Sequence, residues 1–311
     1  MKGKILIVGS LNMDLVINMS RMPVVGETVL GKSLANVPGG KGANQACAVG
    51  RLGGDAVMLG CIGRDEYGRA LRKSLTDSGV DCSRLRQTDS GTGTASIYVD
   101  ESGANSIVVV PGANHDCDVA YLKEMDDAFW ECSYILLQME IPEEAVYYTV
   151  RRGRELGKTV ILNPAPAPEA IPGEILASVD YLTPNETELM KLSGMDGTDL
   201  CAIEMGTKRL LKMGTKHVIV TMGEQGCFLA GDGAGRIFPA RKVESVDTTA
   251  AGDCFNGAFV TALAEGMPVE AAIRLANGAS SIAVTRKGAQ SSLPTREEVE
   301  RICRAGREVS G

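Results

Sequence analysis

The chain has 311 residues, 44% of them hydrophobic and 23% charged, with a formal net charge of −7. This composition suits a globular protein that buries roughly three quarters of its unfolded surface, and the acidic balance argues against DNA or RNA held through backbone phosphates. Nine cysteines without a Cys-x-x-Cys pair and only two histidines, His115 and His217, argue against a zinc site or a disulfide framework and imply free thiols in a reducing cytoplasm.

Lys2 and Lys4 precede the apolar run Ile5–Val8, but that run stops at Gly9-Ser10, too short for the core of a signal peptide, so it reads as a buried first strand. No apolar stretch approaches the roughly 18–20 residues of a membrane span, and no membrane partner is expected. Lys4–Val8, Ala56–Gly60, Tyr134–Gln138, Thr159–Leu162, Tyr181–Thr183 and His217–Thr221 are dense in apolar or β-branched residues, as strands buried on both faces are. Between and after them the spacing predicts helices over Asn44–Leu52, Tyr67–Ser78, Glu143–Leu156, Glu186–Leu192, Cys201–Met213, Cys254–Glu265 and Val269–Thr285. That alternation predicts a layered α/β fold with a mainly parallel sheet. Two regions interrupt it: Leu15–Asn18 with Thr28–Leu34, and Thr94–Asp100 with Ser106–Val110, read as antiparallel pieces joined by the turns Pro23–Gly26 and Glu101–Asn105. They predict a small second sheet, suited to cover a pocket or to form a dimer contact. Pro164–Pro172 reads as a short rigid loop.

Four segments carry chemistry. Pro38–Ala46 packs three glycines, Lys41 and Asn44 before a helix, so backbone amides and two donor side chains can meet a polar ligand; it lacks P-loop spacing, and Gly9-Ser10-Leu11 lacks the dinucleotide fingerprint. In Thr183–Glu188, Asn185 and Glu188 stand three apart at a helix start, where they could serve hydrated Mg²⁺ beside phosphates or simply form a capping box. Val218–Gly226 is a strand running into a glycine turn, placed where nucleotides collect in open α/β sheets. Val246–Asp253 ends in Ala251-Gly252-Asp253 just before a helix, whose free amides and positive dipole end form an anion site. Asp253 there is either an N-cap or a base that takes an alcohol proton while the amides hold phosphoryl oxygens.

Taken together and in this order, Gly39–Asn44, Asn185 with Glu188, and Asp247–Asp253 resemble the ribokinase family of carbohydrate kinases over nearly the whole chain. Gly9–Asp14, Gly26-Glu27-Thr28, Gln138-Met139-Glu140, Asn163–Ala167 and Ala283–Gln290 extend the resemblance. It implies a single catalytic domain, 1–311, built as a three-layer sandwich with lid segments at about 14–38 and 92–112, pairing with a second subunit through the lid. It also implies transfer of the γ-phosphoryl group of ATP to the 5-hydroxyl of ribose, with deoxyribose, fructose, related sugars or a nucleoside as alternative acceptors. By resemblance Asn12, Asp14, Gly40, Lys41, Asn44 and Glu140 contact sugar hydroxyls, Asp253 is the base, and Ala251 and Gly252 supply anion-hole amides. Asn185, Thr221, Gly223, Gly226, Gly252 and Asn277 face ATP, and Glu188 serves the Mg²⁺ network. A K⁺ site falls on Asp247, Thr249, Ala283, Arg286, Gly288 and Ser292. Asn277 stands where the family often has a histidine beside the adenine, and Pro111 where a histidine is frequent. A sugar-binding regulator without catalysis would lack Asp253, Gly252 or Glu188, all of which are present; a dehydrogenase would need the missing fingerprint. Cys254, next to Asp253, is the one thiol whose alkylation could block the site.

Overall fold

Strand β1 (Ile5–Val8) sends Ile5 and Ile7 into one apolar core and Leu6 and Val8 into another, which is why a continuous apolar run forms a central strand. The structure, a computed structural model, describes residues 3–308 except 198, 232 and 234, with side chains as far as residue 302. After β1 come the hairpin β2 (Asn12–Met19) and β3 (Gly31–Gly39), helix α1 (Lys41–Arg51) and β4 (Ala56–Leu59). The short strands β5 (Cys61–Gly63) and β6 (Arg86–Thr88) flank α2 (Glu66–Asp77), and a second hairpin follows, β7 (Gly93–Val99) with β8 (Asn105–Val110). Helices α3 (Val119–Glu124) and α4 (Asp126–Glu131) lead to β9 (Tyr134–Leu137). The alternation then runs α5 (Glu143–Glu155), β10 (Thr159–Leu162), α6 (Gly173–Leu176), β11 (Tyr181–Leu182), α7 (Glu186–Ser193), α8 (Leu200–Lys212) and β12 (His217–Thr221). Strands β13 (Cys227–Ala230) and β14 (Arg236–Phe238) and helices α9 (Ala251–Ala264), α10 (Val269–Ala283) and α11 (Arg296–Glu308) complete the chain.

The main sheet has the order β14-β13-β12-β11-β10-β9-β1-β4. It is parallel from β12 to β4 and antiparallel at the β12–β13–β14 edge. Residues of α1, α2, α9 and α10 fill the core on one face, and residues of α3, α5, α7 and α8 the core on the other. The result is the expected three-layer α/β sandwich. The two predicted hairpins are present, and β2 also pairs with β7 in parallel, so they fuse into one four-stranded sheet, β3-β2-β7-β8. Every residue of β8 is exposed, among them Ile107, Val108, Val109 and Val110.

Two helices begin earlier than their apolar periodicity indicates, at Lys41 instead of Asn44 and at Ala251 instead of Cys254. Polar first-turn residues carry no hydrophobic signal, so periodicity alone misses them. The β13–β14 edge and α11 also escape the sequence reading: the strands are short, and α11 is strongly charged. The close packing of α9 on α1 has a definite cause. A Cβ on Gly257 would lie 2.5 Å from Ala48 Cβ and 2.9 Å from the Gln45 carbonyl oxygen, so only glycine lets the two helix backbones approach this far. Gly257→Ala is therefore expected to lower the thermal midpoint by a few degrees, because overpacking of about 1–3 kcal/mol exceeds the roughly 1 kcal/mol gain in helix propensity. Thermal unfolding followed by circular dichroism checks this, and an unchanged or raised midpoint would show slack at the contact.

Candidate active site

Asp253 is not an N-cap. The cap of α9 is Ala250, a non-glycine residue in the left-handed region (φ 59), with no side-chain capping bond. Asp253 lies inside the first turn, 7% exposed. Its carboxylate accepts from two neighbouring residues of α1, from Asn44 Nδ2 at Oδ2 and from Gln45 Nε2 at Oδ1, both at 3.0 Å. The Ala251 amide donates to the Thr248 carbonyl at 3.2 Å. Gly252 and Asp253 therefore supply the first-turn amides that have no partner within the helix. A Cβ on Gly252 would meet nothing within 4 Å, so open space lies in front of this turn.

The sugar-side residues predicted from sequence converge where α1 begins. Gly40, its N-cap, has φ 87, and a Cβ there would lie 2.6 Å from the Asn12 amide nitrogen; glycine allows the start of α1 to touch the start of β2. Glu140, just past β9, accepts at Oε2 from Ser10 Oγ at 2.6 Å and from the Lys41 amide at 3.1 Å, so a carboxylate sits at the positive end of α1. Asn12 is fixed by Asn114, whose Nδ2 donates to Asn12 Oδ1 at 2.7 Å while its Oδ1 accepts from the Leu11 amide at 2.8 Å. Asn12 therefore presents its own amide hydrogens to a ligand. Burial, reinforced by the charges of Glu140 and Asp253, pushes the Asp14 carboxyl up to about 7. Burial disfavours the charged form of Lys41, yet Asp253, Glu140, Glu188 and Asp14 outweigh it and hold the ammonium above its usual range. Lys41 is thus the cation of a carboxylate cluster, and Glu188, its own carboxyl raised by burial, belongs to the same cluster.

On the other side of the α9 N-terminus a cleft of about 840 Å³ is lined by Thr221, Gly223, Gly226, Ala251, Gly252 and Asn277, among others, within the usual size range of cofactor sites. Asn277 lines the cleft while its Nδ2 donates to the Phe238 carbonyl at 3.0 Å and tethers the end of β14. Asn185 bridges to Thr221 in parallel register at the cleft edge. The capping box is real: Asn185 Oδ1 accepts from the Glu188 amide at 2.8 Å, and Glu188 Oε2 accepts from the Asn185 amide at 2.9 Å. One Glu188 oxygen and the half-buried position toward Lys41 remain for an ion held with phosphates, as Mg²⁺ sites require.

Asp247 ties two loops together. Its Oδ1 accepts from the Thr249 amide and its Oδ2 from the Gly288 amide, both at 2.9 Å. Burial works against the charge, but these bonds hold the carboxyl below its ordinary range. Of the predicted cation positions, Asp247, Thr249 and Gly288 are therefore joined directly. The Ala283 carbonyl accepts from the Arg286 amide at 3.0 Å, the Arg286 guanidinium pairs with Glu298 at 2.6 Å, and Ser292 Oγ turns to the Ala289 carbonyl at 2.8 Å. Arg286 and Ser292 thus turn their side chains to partners outside the expected cation set. No group of three or more His, Cys, Asp or Glu placed to hold a metal is present among the described residues.

Ser10, Gln45, Asn114, Asn163 and Asn256, all buried amides or hydroxyls, receive no role from the sequence, although Gly9–Asp14, Pro38–Ala46 and Asn163–Ala167 contain three of them. His115 is exposed and His217 stacks on Tyr181 at 4.9 Å. The eight described cysteines are free. Cys254 does not fulfil its expected sensitivity: it is fully buried, and burial pushes its thiol up to about 12, so it is unreactive.

A carboxylate set among polar donors, beside unpaired helix amides and a nucleotide-sized cleft at the ends of parallel strands, is the equipment of a phosphotransferase with an alcohol acceptor. The chain belongs to the pfkB family of carbohydrate kinases, whose model matches residues 2–296. It is 42% identical over 299 residues to the ribokinase of Bacillus subtilis, covering 96% of this chain and 98% of that protein. It superposes on the ribokinase of Thermotoga maritima with a TM-score of 0.89 at 39% identity, covering 97% and 99% of the two chains. The ribokinase of Arabidopsis thaliana, complexed with ribose and ATP, superposes with a TM-score of 0.91 at 33% identity and the same coverage.

Asp14 gives this site a pH signature in the ligand-free protein. Its folded-state pKa of about 7 lies above the ordinary 3.8, so ionisation in the folded state opposes stability. The cost is fully present above about pH 7 and vanishes as pH falls toward 4. Asp14→Asn is expected to raise stability at pH 8 by a few kcal/mol at most and to change little at pH 4; urea unfolding at the two pH values measures it, and an equal effect at both would remove Asp14 as the source.

Proposed function

We propose that the protein is an ATP-dependent kinase for the 5-hydroxyl of ribose, acting as a cytoplasmic enzyme with one catalytic domain over 1–311 and a lid formed by residues near 14–38 and 92–112. The observation that carries this reading is the placement of Asp253, held by Asn44 and Gln45 where the sugar-side cluster meets the nucleotide cleft. The relatives' names and the ribose and ATP of the Arabidopsis structure support the choice of substrates.

Asn12, Asp14, Lys41, Asn44 and Glu140 bind and orient the sugar hydroxyls. Asp253 takes the proton of the 5-hydroxyl as its oxygen bonds to the γ-phosphorus; the bond from that phosphorus to the β-bridging oxygen breaks, and ADP leaves with the electron pair. Gly252 and Asp253 amides receive the charge on the transferring oxygens, and Lys41 balances it from the sugar side. Glu188 is the residue to hold Mg²⁺, which when bound neutralises phosphate charge. Asp247 and the carbonyls of Thr249, Ala283, Arg286 and Gly288, with Ser292, are the residues to hold K⁺, which when bound keeps the loop before α9 in the geometry that presents the amides.

The exposed apolar strand β8, with Leu34 of β3 65% exposed, supports pairing of two lids in a homodimer. Sedimentation velocity is expected to give a dimer, and Val108→Glu to shift it toward monomer; a monomeric parent protein would refute the pairing.

A panel of sugars with coupled ADP detection, run with and without K⁺, tests the assignment. Ribose is expected to be the fastest acceptor and K⁺ to raise the rate; faster turnover of fructose or a nucleoside would overturn the acceptor. Asp253→Asn should lower kcat by about 10²- to 10⁴-fold, and near-normal turnover would remove Asp253 as the base.

A further inference from the structure

Three adjacent parallel strands end in a row of buried polar residues. Gln138 follows β9, Asn163 follows β10 and Thr183 follows β11, and the strands are in register, Leu162 lying beside both Leu137 and Leu182. Gln138 and Gln45 are 0% exposed, so neither can touch a ligand. Gln45 Nε2 donates to both Asp253 Oδ1 at 3.0 Å and Asn163 Oδ1 at 3.1 Å, and Gln45 Oε1 accepts from Gln138 Nε2 at 2.7 Å.

The direction of these bonds follows from an anchor that has no choice. Asn163 Nδ2 donates at 2.9 Å to the Thr183 carbonyl, which can only accept. Asn163 must therefore turn Oδ1 toward Gln45, and Gln45 must answer with its NH₂ group. The second hydrogen of that group falls to Asp253. A flipped Gln45 would set its oxygen against two acceptor oxygens at 3.0 and 3.1 Å, too close to admit a bridging group, a costly arrangement in a buried site. A second branch leaves the same row: Thr183 Oγ1 donates to Asn256 Oδ1 at 2.7 Å, and Asn256 Nδ2 donates to the Gly252 carbonyl at 2.9 Å. That carbonyl belongs to the peptide unit whose N–H is the Asp253 amide.

We propose that Gln45 is a positioning residue for phosphoryl transfer, transmitting the fixed orientation of the sheet edge to the Asp253 carboxylate. It rests on the reading of Asp253 as the base. With Oδ1 committed to Gln45, the plane of the carboxylate is set, and Oδ2, shared with the substrate-side residue Asn44, is the oxygen that receives the proton.

The test is a double-mutant cycle on the full-length enzyme. Gln45→Met keeps length and volume and removes the donor. It is expected to lower kcat by about 10- to 100-fold, the range of small misplacements of reacting groups, while KM for sugar and for ATP changes less than twofold. In the Asp253→Asn background the same substitution is expected to change the residual rate less than twofold, because the relay then has no carboxylate to orient. An equal fold-loss in both backgrounds would show a merely structural role and overturn the proposal. If Gln45→Met does not fold, Gln138→Met, one bond further out, is expected to show a smaller kcat loss that likewise disappears with Asp253→Asn; persistence of its loss there overturns the proposal. A fully active Asp253→Asn enzyme overturns the base assignment and this proposal together, whereas an impaired Asp253→Asn beside a fully active Gln45→Met overturns this proposal alone.

Discussion

The contact between α1 and α9 is the constraint on which the site depends. Asn44 and Gln45 lie in the first half of α1, and Asp253 in the first turn of α9. For two short amides to reach one carboxylate, the helix backbones must come closer than ordinary side chains allow. Gly257 against Ala48 and the Gln45 carbonyl achieves this. A Cβ at that point would act at a distance from the chemistry, by moving the donors away from the carboxylate.

That closeness concentrates charge. Asp14, Glu140, Glu188 and Asp253 all act on Lys41, in a region where Asn12, Asn44 and Asp253 are buried. Without ligands Asp14 is disfavoured as a charge, by burial first and by Glu140 and Asp253 second. On the proposed function, hydroxyl groups would satisfy the carboxylates and phosphate oxygens would meet Lys41 and the amides. That would reconcile the net negative charge of the chain with an anionic nucleotide, through local amides and one cation instead of a basic surface.

The loop before α9 adds a further requirement. Ala250 is held in a left-handed conformation that alanine adopts rarely, and Asp247 binds the two flanking loops through Thr249 and Gly288. These bonds flank the strained Ala250, and a Cβ on Gly252, two residues further on, would meet open space.

Much of this was legible in the linear chain. Continuous apolar runs specified the parallel strands, and glycine and lysine in Pro38–Ala46 marked a polar loop entering a helix, though the helix itself already begins at Lys41, because these depend on local residue chemistry. The ambiguity between a cap and a base at Asp253 was not resolvable there, since both need a carboxylate at a helix start. The fold removes the cap role, which falls to Ala250, and gives Asp253 partners at sequence separations of more than two hundred residues. The parallel pairing of β2 with β7 inside the expected second sheet, the capture of Asn12 by Asn114 and the row Gln138, Asn163 and Thr183 were equally invisible. The sequence alone determined which residues could donate, accept or hold charge. Only the tertiary structure decided which of them meet, because buried hydrogen bonds form between groups brought together by strand register and helix packing, and neither distance nor direction is written in local spacing.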